Sequence, residues 1–80
     1  MRRARNKPKR LAEKLLQIRK ALGLSQREMA KRLRSEKSYN IVSKYERGTS
    51  LPTLVEIVVY SRLANVHSEA IVDDDLDLNL

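Results

Sequence analysis

The chain has no cysteine, phenylalanine or tryptophan, and its 80 residues include two glycines and two prolines. Without cysteine there is no disulfide framework, no thiolate zinc site and no thiol nucleophile. A single histidine, His67, cannot build a metal site by itself, and it reads as a surface or loop residue. The only aromatics are three tyrosines, so the core must be small and aliphatic. Eighty residues make one domain near the lower limit of what a single core stabilises, with no room for a large substrate cavity. No apolar run approaches the roughly 18 residues of a membrane span. The basic start leads into no apolar stretch, so no secretory leader is expected. A Gly-rich phosphate loop, a nucleophile–base set and a metal-ligand pair are all missing, so no enzyme, cofactor, metal or small-molecule ligand is expected. Asp73-Asp74-Asp75 lacks the spacing of a calcium loop and reads as solvated. A cytoplasmic protein with no membrane partner is expected.

What the chain has in excess is positive charge, unevenly placed. Residues 1–47 hold sixteen of the seventeen Lys and Arg with four acids, a net +12, whereas residues 48–80 carry a net −5. Such a split points to one polyanion-binding face, for nucleic acid or an anionic membrane, rather than to solubility alone.

The apolar pattern is helical throughout. Residues 1–8 are a basic arm ending at Pro8, either wrapping a ligand or solvated. Leu11, Leu15, Ile18 and Leu22 form one stripe of a helix over 9–22, ended by Gly23 as a left-handed cap. Ser25 and Glu28 make a capping box for a second helix over 26–33, with Met29, Ala30 and Leu33 inward. Residues 34–38 form a polar turn. A third helix over 38–47 turns Val42 and Tyr45 inward and stops at Gly48. A fourth, over 52–64, starts at a second box, Thr53 with Glu56; its inner face is Leu54, Ile57, Val58, Ser61 and Ala64, and Asn65 is its left-handed cap. Ser68 caps a short fifth helix through 71 or 72. The tail, 73–80, alternates Asp and Leu. This predicts a compact all-α domain of five helices over 9–72.

The second and third helices, short and joined by a brief turn, have the helix-turn-helix layout. The third offers Ser38, Tyr39, Asn40, Ser43 and Lys44 outward. Asn can bond adenine through two hydrogen bonds, Lys can reach guanine, and Ser or Tyr can bond base or phosphate.

Leu22-Gly-Leu-Ser-Gln26, Glu28-Met-Ala30, Val42-Ser-Lys-Tyr-Glu-Arg-Gly48 and Pro52 together resemble the phage repressor and Cro-type helix-turn-helix domain, the XRE family, over about residues 11–72. The resemblance implies a lambda-repressor-like fold and a regulator of transcription that binds a double-stranded DNA operator, expected to be a repressor and a homodimer. It implies base contacts from Tyr39, Asn40 and Lys44, with Ser43 beside them. It implies backbone contacts from Gln26, Arg47 and Thr49, to which Arg27 and Ser38 are added. It also implies an ion pair, Arg19 with Glu46, tying the first helix to the third. Two features depart from the family pattern. The turn between Leu33 and Val42 is about two residues longer, and Ile41 stands where a polar residue is usual. Ile41 either touches thymine methyls or enters the core.

For Leu76, Leu78 and Leu80 three roles stand: a dimer surface with the fifth helix, a cover for a toxin if the chain is an antitoxin, or a frayed end. A third functional class, a coactivator-like module docking protein or RNA, fits the same helices.

Overall fold

A computed structural model of the chain describes residues 8–34 and 40–80. Among these residues there are five helices and no strand: α1 (Leu11–Leu22), α2 (Gln26–Arg32), α3 (Asn40–Arg47), α4 (Leu54–Ala64) and α5 (Ser68–Val72). Residues 1–7 and 35–39 lie outside the described set. They take with them most of the basic arm, most of the longer turn, and Ser38 and Tyr39 of the expected third helix.

Helix ends follow local chemistry. Both capping boxes form. Ser25 accepts the Glu28 N–H at 3.0 Å while Glu28 accepts the Ser25 N–H at 2.8 Å, and Thr53 and Glu56 do the same at 3.1 and 2.9 Å. Gly23, Gly48 and Asn65 sit in the left-handed region at φ 72, 79 and 58°. Each closes its helix with paired bonds back to the last turn, such as Thr49 N–H to the Lys44 carbonyl and Gly48 N–H to the Tyr45 carbonyl. At Gly48 the backbone angle, not space, requires glycine, since an added Cβ would rest 3.8 Å from Ala12 in ordinary contact.

α1 lies at the centre, packed on α3, α4 and α5, and α2 packs on α3. The core comprises Leu11, Leu15 and Ile18 of α1, Met29 and Ala30 of α2 with Leu33 after it, Val42 and Tyr45 of α3, Ile57 and Tyr60 of α4, Ile71 of α5, and Leu78.

Three expectations are corrected. Leu54, assigned inward, is 76% exposed. It is the first residue of α4 and lies at the surface, while Pro52, just before the helix, is buried. The inner line of α4 runs through Ile57, Tyr60 and Ser61, so it is rotated from the one expected. The cap of α5 is His67, not Ser68, and its side chain makes no capping bond. Asp74 is not merely solvated: its carboxylate accepts the N–H groups of Lys9 at 2.9 Å and Arg10 at 3.0 Å, at the start of α1. α1 has no side-chain cap of its own, so the tail supplies one from 64 residues away.

The tail returns along α1 and is held by two cations of the basic half. Lys14 is wholly buried, and its ammonium donates to the carbonyls of Ala70, Asp73 and Leu76 at 2.7–2.8 Å. Three donors meet three acceptors at the end of α5, where helix carbonyls lack partners. The Arg10 guanidinium donates to the Asp74 carbonyl at 2.9 Å and to Asp77 Oδ1 at 2.8 Å. Leu78 is buried against the core, whereas Leu76 and Leu80 stay exposed. Of the three leucines expected to form one outer surface, Leu78 is thus committed to its own chain.

Removing residues 74–80 should lower stability by about 2–4 kcal/mol, because Lys14 loses an acceptor in an apolar setting and a core leucine is lost. Chemical denaturation of the truncated chain measures this, and an unchanged midpoint contradicts it. The backbone bonds from Arg10 and Lys9 hold the Asp74 carboxyl below its ordinary 3.8. A group whose value is lowered on folding stabilises above its unfolded value, and that contribution fades as pH falls through the folded one. The melting temperature should therefore fall as pH drops below about 4. The fall should be shallower in Asp74→Asn.

Candidate nucleic-acid interface

α3 is set by what it buries. Val42 is fully buried and Tyr45 is 3% exposed, while Asn40, Lys44 and Arg47 are exposed. At 100° per residue the three exposed residues centre about 160° around the helix from the buried pair. Steps of four and three bring an amide, an ammonium and a guanidinium into one outward stripe. Ser43, half-buried, lies on its flank. Ile41 is partly buried against the core, which decides between its two readings in favour of packing. Tyr39 and Ser38 fall outside the described residues.

The inner side of α3 is held by a shared carboxylate. Glu46 Oε2 accepts Arg19 Nε at 2.7 Å, and Oε1 accepts Arg19 Nη2 at 3.2 Å and Gln26 Nε2 at 2.9 Å. Arg19 also donates to the Leu24 carbonyl at 2.9 Å, fixing the turn between α1 and α2. The side chains of Arg19 and Glu46 are 15% and 5% exposed, so the ion pair expected from the resemblance forms and is largely shielded from water. Gln26, expected at the DNA backbone, spends an N–H on Glu46; its amide has a second donor.

On the other side of Tyr45 is α4. The Tyr45 hydroxyl donates to Glu56 Oε1, the oxygen that also accepts the Thr53 N–H in the α4 capping box. Burial first, then the bond to Glu56, raises the Tyr45 phenol above its ordinary value. On α4, Tyr60 is wholly buried and its hydroxyl meets no partner among the described residues. Burial, then Glu46 nearby, raises its phenol as well. Sequence reasoning placed Tyr45 in the core and missed its hydroxyl's role; the one available signal was Glu56 in a capping box eleven residues on.

The remaining expected residues surround the stripe. Arg27 is exposed on the first turn of α2. Thr49 follows α3, exposed, its hydroxyl donating to the Lys44 carbonyl at 3.3 Å. Lys31, Arg32 and Arg34 add exposed cations at the end of α2. Lys14, Arg10 and Arg19, counted in the basic half, are committed to carbonyls and carboxylates and are taken out of the polyanion face. Tail and basic half are thus partly complementary to each other within one molecule.

A family model described as helix-turn-helix matches residues 15–71, more than half of the chain. No curated protein and no solved structure matches it. No helix among the described residues is long and apolar enough to cross a membrane.

Arg19→Ala leaves the Glu46 carboxylate with Gln26 alone, and Glu46→Ala strands the Arg19 guanidinium. Each should cost about 3–5 kcal/mol, because removing one member of a shielded pair leaves the other uncompensated. Thermal melts of both variants check this, and midpoints within a degree of the parent contradict it.

Proposed function

The chain belongs to the helix-turn-helix family of the Cro and phage-repressor type, and from that premise we propose that α3 reads base edges in the major groove of a specific DNA operator. It is a DNA-binding transcriptional regulator of the XRE type. The finer reading is a sequence-specific repressor that binds double-stranded DNA as a homodimer, since one small domain contacts few base pairs and two-fold sites repeat a half-site. The observation that carries it is the outward stripe of Asn40, Lys44 and Arg47 on a helix whose other side is buried and bonded.

The roles follow from chemistry. Asn40 offers the donor–acceptor pair that matches adenine, and Lys44 offers a cation for guanine O6 and N7. Ser43, at its flank, is assigned to the base face as well, and so is Tyr39. Arg47, last on the outward stripe, and Thr49 beyond it suit phosphate, as do Arg27, Ser38 and the second amide N–H of Gln26. These contacts position the domain without carrying sequence information.

The test is a contrast between two variants on two duplexes, one selected from a random pool and one of scrambled sequence. Asn40→Ala should weaken the selected duplex by about 1–3 kcal/mol and leave the scrambled one nearly unchanged. Arg47→Ala should weaken both alike and flatten the salt slope by about one. Equal losses on both duplexes for Asn40→Ala would remove it from the base readers. For the parent, about six phosphates neutralised per dimer gives a slope of log K against log salt near −5. A slope shallower than about −2 would contradict a polyanion face built from the basic half.

A further inference from the structure

We propose that Tyr45 is a positioning residue for base recognition, its hydroxyl setting the rotation of α3 through the capping carboxylate of α4. This deepens the reading of α3 as the base-reading helix and rests on it. Tyr45 and Glu46 are consecutive, so their side chains leave α3 about 100° apart. Glu46 is drawn to Arg19 and Gln26, on α1 and α2. Tyr45 is drawn the other way, to Glu56 at the start of α4. Together they hold the helix from both sides of its buried face.

Burial of Val42 and the Tyr45 ring gives α3 its depth in the domain, but apolar contact is not directional and leaves the roll of a short helix loosely set. A roll of about 20° moves atoms at the helix's outer radius of roughly 6 Å by about 2 Å. Hydrogen bonds to base edges tolerate roughly 0.5 Å. Phosphate contacts by long flexible cations tolerate more. The Tyr45 hydroxyl therefore acts on discrimination between sequences, and hardly on affinity for DNA in general.

Glu56 is well placed for this, because its Oε1 is already fixed by the Thr53 N–H at 2.9 Å. The acceptor is thus held by the frame of α4 rather than by a free side chain. The same oxygen serves the cap of one helix and the register of another.

The experiment compares binding of a duplex selected from a random pool with binding of a scrambled duplex, for the full chain and three variants. Tyr45→Phe removes the hydroxyl and keeps the ring. It should cut the preference for the selected duplex about tenfold, with scrambled-duplex affinity and salt slope within about twofold of the parent. Glu56→Gln keeps an acceptor oxygen for Tyr45 and should hold the preference within about threefold. Thr53→Ala weakens the α4 cap but leaves the Tyr45–Glu56 bond, so its melting temperature falls while its preference stays. A Tyr45→Phe chain with unaltered preference overturns the inference and leaves the DNA reading standing. So does a preference that falls with melting temperature alike in Tyr45→Phe and Thr53→Ala, which would mark stability as the only cause. A parent chain with no preference among duplexes overturns the DNA reading itself, and the inference with it.

Discussion

The carboxylate of Glu46 is the point on which the arrangement turns. It is the last acid before the third helix ends, and it takes hydrogen bonds from Arg19 and Gln26, one on each of the first two helices. A charge so shielded must be matched or the fold loses several kcal/mol, and a charge so matched holds one side of the helix that carries it. Once Glu46 points inward, the 100° turn per residue leaves Asn40, Lys44 and Arg47 no direction but outward. The exposed face is in this sense the remainder after the structural bonds of α3 are made.

A second set of bonds closes the other end of the molecule. Lys14 gives its ammonium to three carbonyls around the end of α5, and Asp74 returns the favour by capping α1. Small domains bury too little apolar surface to leave helix ends unsupported. Here the tail does that work with polar groups and one buried leucine. It also separates the charge of the chain into two uses. Arg10 and Lys14 hold the acidic tail, while Lys31, Arg32, Lys44 and Arg47 stay exposed on α2 and α3.

Much of this was legible in the sequence because it is local. Ser25 with Glu28, Thr53 with Glu56, Gly23 and Asn65 act within a few residues, and each does at its helix end what its type and spacing imply. Alternation of Val42 and Tyr45 with Asn40 and Lys44 fixed both faces of α3 in the same way. The Arg19–Glu46 pair, 27 residues apart, came through the family resemblance and not through periodicity. What sequence could not supply is contact across long separations. Nothing local marks Lys14 as a buried lysine, since its acceptors are carbonyls 56 to 62 residues away, and carbonyls carry no residue signature. The inner face of α4 was misjudged at Leu54 and missed at Tyr60, because Glu56 is the one polar residue among residues 54–60 and belongs to the cap, and the apolar residues around it point in every direction. The Tyr45–Glu56 bond escaped for a related reason: a tyrosine in a core position reads as a ring, and its hydroxyl is silent until a partner is placed.

Whether α3 presents its exposed stripe to DNA is tested directly by amide and side-chain NMR signals followed during titration with a selected duplex. The shifts should concentrate at the start of α2, along α3 and at residues 47–50, with the Asn40 side-chain amide among the most displaced. The tail, from Asp73 to Leu80, should move little. Shifts gathered on the tail and α5, with Asn40 and Lys44 unmoved, would contradict it.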